Sequence, residues 1–184
     1  MSDSTIQEES SRLLEEQRRY LELDRQWLAE EEKRRGRRLT SCVVTFGCQM
    51  NARDSEKLLG ILKNAGFLET DDEENADFVI FNTCTVRDNA NQRVYGRLGA
   101  LKSVVKKNPD KKIALCGCMM QENSVIEKLR KSYGFVNLIF GTHNLFKFAE
   151  LCYRMYEEGE MIIDIWDKTD EIVEDLPVER KYSF

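Results

Sequence analysis

Three short stretches of the chain share one grammar. Val43-Val44-Thr45-Phe46-Gly47-Cys48, Phe78-Val79-Ile80-Phe81-Asn82-Thr83-Cys84 and Ile113-Ala114-Leu115-Cys116-Gly117-Cys118 each run from an apolar, β-prone segment into a cysteine, and a helical pattern follows. Thiolates are soft ligands suited to iron–sulfur clusters or zinc. Cys48, Cys84 and Cys118 are 36 and 34 residues apart, far wider than the local spacing of a ferredoxin loop. A parallel sheet makes each gap one strand–helix unit. The three thiols then emerge together at the carboxyl edge, where open α/β sheets place their ligands. An iron–sulfur cluster held by Cys48, Cys84 and Cys118 is the expected chemistry.

Local features favour that reading. Each thiol precedes an expected helix N-terminus, whose unpaired N–H groups favour thiolate and negative charge. Gly47 and Gly117 stand immediately before two of the cysteines, where a tight turn brings backbone close to a bulky inorganic body. Zinc competes, because His143 in a fourth strand-end loop would complete a set of four ligands. Cys116 and Cys118 form a C-x-C pair, which lacks the spacing of a thioredoxin-type dithiol. Inert cysteines serving as small apolar packing are the third alternative. Cys42, within a strand, and Cys152, within an amphipathic helix, are expected to pack. Cys116 should point into the sheet layer, and Met50, Met119 and Met120 flank the site as lining or as loop packing.

The elements that must position these residues follow from the pattern. Residues 40–46, 76–82, 112–116, 135–140 and 161–166 read as strands, with a short edge strand near 67–69. Helices are expected over 52–64, with Asn51 as N-cap, and over 86–107, 121–131 and from Asn144 to about residue 157. Strands alternating with helices imply a doubly wound α/β domain with a mostly parallel sheet and right-handed crossovers. Three regions are expected: a charged helical extension over 1–38, the α/β domain over 39–167, and an acidic linker over 168–184. In the extension, a helix from Ser10 to Arg35 carries one apolar stripe, Leu13/Leu14, Tyr20/Leu21 and Trp27/Leu28. Gln17 and Asp24 interrupt it, which argues against a sustained coiled coil and leaves a helix lying on its own domain.

Composition excludes several classes. No run of about 18 uncharged apolar residues exists, so a membrane span is not expected. The chain shows no export leader, which makes it cytoplasmic on this reading and its six cysteines poor material for a disulfide framework. A net charge of -5 argues against gripping nucleic acid by the overall field. A local basic face is compatible with it. The 86–107 helix and the residues beside it carry Arg87, Arg93, Arg97, Lys102, Lys106 and Lys107, as a solvated face or as a contact for RNA phosphates.

Thr45-Phe46-Gly47-Cys48-Gln49-Met50-Asn51 with Asp54-Ser55, then Asn82-Thr83-Cys84-Thr85-Val86-Arg87, then Gly117-Cys118-Met119 together resemble the N-terminal domain of the radical-SAM methylthiotransferases. The Gly-Cys-Gln-Met-Asn form and Gly141-Thr142-His143-Asn144 resemble the branch acting on isopentenyladenosine in tRNA, rather than the threonylcarbamoyl-adenosine or ribosomal-protein branches. The resemblance implies that Cys48, Cys84 and Cys118 ligate an auxiliary [4Fe-4S] cluster with one iron free of cysteine. It implies as well a tRNA partner, a reductant and a sulfur donor, and a monomer is expected. S-adenosylmethionine and a second [4Fe-4S] cluster would belong to a radical domain, whose C-x-x-x-C-x-x-C triplet does not occur in these residues. The chain is therefore expected to be inactive alone. A methylthiotransferase of the threonylcarbamoyl-adenosine or ribosomal-protein branch, and a free-standing zinc or iron–sulfur module, stay as the alternatives.

Overall fold

The computed structural model describes residues 3–47, 49–84 and 88–165. Its strands are β1 (Thr40–Phe46), β2 (Leu68–Glu69), β3 (Phe78–Thr83), β4 (Lys112–Gly117), β5 (Leu138–Phe140) and β6 (Ile162–Asp164). All pair in parallel in the order β2-β1-β3-β4-β5-β6. The helices are α1 (Asp3–Arg35), α2 (Gln49–Ala65), α3 (Asp88–Lys107), α4 (Asn123–Ser132) and α5 (Phe148–Glu158). This is the expected α/β architecture.

Alternation along the strands builds two cores. Phe78 and Ile80 of β3, Ala114 and Cys116 of β4, and Leu138 and Phe140 of β5 face α2 and α5. Their neighbours Val79, Phe81, Ile113, Leu115 and Ile139 face α3 and α4. Both faces of β3 and β4 are buried, so those strands read as unbroken apolar runs rather than as alternating ones.

The chain moves from β1 outward to β2, then crosses back to β3 on the other side of β1. That reversal puts the topological switch point between the carboxyl ends of β1 and β3. Crossover handedness departs from expectation in one unit. The path from β3 through α3 to β4 and the path from β5 through α5 to β6 step the same way across the sheet, but α3 and α5 lie on opposite faces. The two crossovers are therefore of opposite hand. Phe148, Leu151, Cys152 and Met155 of α5 are drawn to the α2 face by the apolar surface there, where Phe148 stacks near Phe78 and Phe140. A three-residue β6 leaves little strand twist to oppose this.

Helix α1 adds a layer outside α2 and α5. Leu28 is buried in the core, and Trp27 stacks on Tyr156 with ring centroids 3.7 Å apart. Gln17 and Asp24 do not break the apolar stripe but lie buried on it. The Gln17 side-chain oxygen accepts a hydrogen bond from the Glu150 N–H in the first turn of α5, at 3.3 Å, supplying one of the partners that a helix start lacks. Asp24 has an oxygen with no hydrogen-bond partner, and burial pushes its pKa up to about 8. Arg25 donates to the Asn64 carbonyl at 2.6 Å and Arg38 to the Gly66 carbonyl at 2.7 Å, so the α1 region also closes the C-terminus of α2.

At the amino edge of the sheet an ionic staple fixes the end of α1. Asp77, 4% exposed, accepts from Arg35 at 3.1 Å, from Arg37 at 2.5 and 2.8 Å and from the Thr40 N–H at 2.9 Å. Lys111, also buried, donates from its ammonium to the carbonyls of Glu73, Glu74 and Ala76. No described helix is long and apolar enough to cross a membrane.

Candidate metal centre

The register of the sheet gathers the strand ends. Phe46 pairs with Thr83, and Thr83 pairs with Gly117. Gly47, Cys84 and Cys118 each follow one member of that row. Neighbouring strands are ~4.8 Å apart, so backbone leading to the thiols crosses the sheet in two adjacent steps. Cys84 is 2% exposed and Cys118 half-buried, and the Cys118 thiol lies 3.7 Å from the Thr83 carbonyl, the residue before Cys84. Cys48 lies outside the described residues, as do Thr85, Val86 and Arg87. Its neighbour Gly47 packs against the Cys84 side chain: a Cβ added there would stand 2.8 Å from the Cys84 Cβ and 2.5 Å from the Asn51 amide oxygen.

Gly117 is equally constrained. It adopts φ +102°, and an added Cβ would come within 2.1 Å of the Thr83 carbonyl oxygen. The two glycines are thus required by close approach of one strand end to the next.

A neutral hydrogen-bond network sets this rim. Asn82, 1% exposed, donates to the Asn51 carbonyl at 2.8 Å and to the Ser55 hydroxyl at 3.0 Å. Asn51 returns the bond, donating to the Asn82 amide oxygen at 3.1 Å and to the Thr83 carbonyl at 3.0 Å. Ser55 also bonds Thr45 at 2.7 Å, and the Thr83 hydroxyl donates to the Cys116 carbonyl at 2.7 Å. The first turn of α2 is thereby tied to the ends of β1 and β3, and β3 to β4.

The structure corrects two local expectations. Asn51 sits within α2, two residues past its start, and its side chain reaches across to β3 instead of capping the helix. Cys118 opens a four-residue 3-10 turn, with α4 starting only at Asn123, so the dipole of a long helix does not begin at this thiol. The remaining candidates separate cleanly. Cys116 faces the α2 side of the sheet, and burial, with smaller contributions from Asp54 and Cys118, pushes its thiol well up. Its side chain packs in the core on that face, away from the strand-end rim. Cys42 and Cys152 pack in the two cores. His143 is exposed. Met119 and Met120 are fully buried under α3 and α4, whereas Met50 is 70% exposed.

Among the described residues no group of three His, Cys, Asp or Glu side chains forms a metal site, and no disulfide links the described cysteines. Two soft donors, Cys84 and Cys118, stand at adjacent strand ends, with glycine backbone on both flanks. Soft donors of this kind suit a thiolate-bound group. Asn82, Asn51 and Ser55 were not singled out as site residues from sequence. Their bonds span 27 to 32 residues, and the run Asn82-Thr83 ending an apolar strand was the one local signal.

Comparison with known proteins agrees with this geometry. Residues 40–141 match the family described as uncharacterized protein family UPF0004. The chain is 64% identical over 149 residues to a tRNA-2-methylthio-N(6)-dimethylallyladenosine synthase of Lachnoclostridium phytofermentans, covering 81% of this chain and 32% of that protein. Proteins of the same name from Clostridioides difficile and Acetivibrio thermocellus are 47% and 46% identical over 170 and 165 residues, covering 92% and 90% of this chain and 36% and 34% of theirs. The chain thus spans about a third of the length of these curated relatives and matches their N-terminal part. It belongs to the UPF0004 family, the N-terminal methylthiotransferase domain.

Proposed function

We propose that the chain is the cluster-bearing N-terminal domain of a radical-SAM tRNA methylthiotransferase, with Cys48, Cys84 and Cys118 as ligands of an auxiliary [4Fe-4S] cluster. The observation that carries this reading is the row Phe46–Thr83–Gly117, which sets Cys84 and Cys118 at adjacent strand ends beside the switch point and packs Gly47 against Cys84. Bound there, a cluster with three cysteine ligands supplies one iron free of cysteine, where a transferable sulfur can be held. Cys84 and Cys118 would hold such a group together with Cys48, Cys116 stays out of the set because its side chain packs in the core facing α2, and Asn82 with Asn51 fixes the spacing between the loops.

The substrate of this reading is the adenosine beside the tRNA anticodon, carrying an N6-isopentenyl group and modified at C2, as the names of the relatives suggest. S-adenosylmethionine and the second cluster belong to a further domain, with a reductant and sulfur donor, in a soluble cytoplasmic monomer. On this chain alone no radical is generated and no tRNA is modified.

Anaerobic reconstitution with iron and sulfide tests the ligands. Cys48→Ala, Cys84→Ala and Cys118→Ala are each expected to lose the intact cluster by iron content and visible absorbance, while Cys42→Ala and Cys152→Ala keep it. A full complement of iron in Cys84→Ala overturns the assignment.

A further inference from the structure

We infer that the outer face of α3 is a docking surface for an RNA phosphodiester backbone, leading away from the metal centre; this deepens the tRNA reading above and rests on it. The helix begins four residues after Cys84 and carries five basic side chains against one acidic one, in a chain whose net charge is -5. Its inner side, Val94, Leu98 and Leu101, is fully buried.

The outer side is bare. Gly96, Gly99, Ala100 and Ser103 are exposed and lie along one strip at helical spacing. A Cβ at Gly96 or Gly99 would meet nothing within 4 Å, so no packing inside the protein calls for glycine there. Each glycine in a helix interior costs ~1 kcal/mol relative to alanine. Arg93 and Arg97 border the strip on one side, Lys102 and Lys106 on the other, and Lys107 closes its far end.

Arg97 leans toward β1, over the Phe46 ring, and pairs with Glu73. Among the described residues, Arg93, Lys102, Lys106 and Lys107 are exposed and form no ion pair. From residue 93 to residue 107 the strip runs ~21 Å, enough to follow several consecutive phosphates. A smooth strip between cationic rails admits a polyanionic backbone closely and gives each cation an anion. A protein helix seated on the same strip would leave those cations at its margins without counter-charges.

The test uses the 184-residue chain and a fluorescein-labelled anticodon stem-loop RNA, read by anisotropy across a salt series. Reversing Arg93, Lys102, Lys106 and Lys107 to Glu together is expected to weaken binding ~100-fold and to lower the slope of log K against log salt by about 3. Gly96→Leu with Gly99→Leu leaves every charge in place and is expected to weaken binding ~10-fold, with helix content by circular dichroism unchanged. Wild-type affinity in either variant, or no measurable binding by the wild-type chain, overturns the surface. Loss in the leucine variant alone marks a protein-docking face, which overturns it too. The titrations are run on the chain before reconstitution with iron and sulfide, since the RNA contact needs no cluster. The surface and the ligand assignment can therefore fail independently, one by anisotropy and the other by iron content.

Discussion

The two edges of the same parallel sheet solve opposite problems. At the amino edge, formal charges are matched and shut in: Asp77 is gripped by Arg35 and Arg37, and Lys111 is spent on three carbonyls. At the carboxyl edge, the groups that tie the strand ends together are neutral, Asn51, Asn82, Ser55 and Thr83, and two thiols stand among them with backbone pressed close by Gly47 and Gly117. The first edge has to hold α1 against the domain, and buried charge there needs partners on every side. The second has to hold its own loops while leaving donors available to something else. Neutral hydrogen bonds fix position without neutralising an incoming group.

The sharpest way to break the carboxyl edge is Gly117→Ala. The new methyl group would meet the Thr83 carbonyl at 2.1 Å in a backbone conformation unfavourable to alanine. We expect a loss of ~3 kcal/mol or more in chemical denaturation, with loss of iron binding in whatever remains folded.

At the amino edge, Asp77→Ala is expected to cost about 3 kcal/mol by stranding Arg35 and Arg37, read by denaturant titration and by protease cleavage of α1. Burial alone would raise the Asp77 carboxyl, but the hydrogen bonds from Arg37 and Thr40, with the charges of Arg37 and Arg35, hold it below the ordinary range. Its contribution is present above the unfolded pKa near 3.8 and is lost as pH falls through the lower folded value.

Asp24, on the seam between α1 and α5, gives the smaller effect and the opposite sign. Its folded pKa of about 8 lies above the unfolded 3.8, so its contribution is complete below 3.8 and is lost as pH rises toward 8. Asp24→Asn is expected to flatten that decline and to raise stability by ~1 kcal/mol at pH 8, measured by thermal denaturation at pH 5 to 9. A parallel pH profile in wild type and Asp24→Asn would show that α1 is seated without burying this carboxyl.

Much of the architecture could be read before any coordinates, because apolar runs ending in cysteine repeat at the length of one strand–helix unit. The bounds of β1 agree with the pattern residue for residue, as Thr40 to Phe46 alternates between two buried faces and ends at a glycine. Polar groups that fold inward were less legible. Gln17 and Asp24 look like interruptions in a stripe, since a one-dimensional pattern cannot say that α5 offers Gln17 an unpaired N–H. The Asn51–Asn82 exchange was hidden for the same reason: either residue alone suits a cap or a turn, and only the β1–β3 register brings them together. The reversed hand at α5 follows from which apolar face attracts Phe148, a competition between surfaces that no local signal records.

One consequence follows from the direction of β6. Because it runs the same way as its five companions, the polypeptide leaves Asp164 at the rim where Cys84 and Cys118 lie. The chain therefore quits the sheet on its thiol side, and residues joined after β6 start from the rim that carries the donors rather than from the edge that α1 closes.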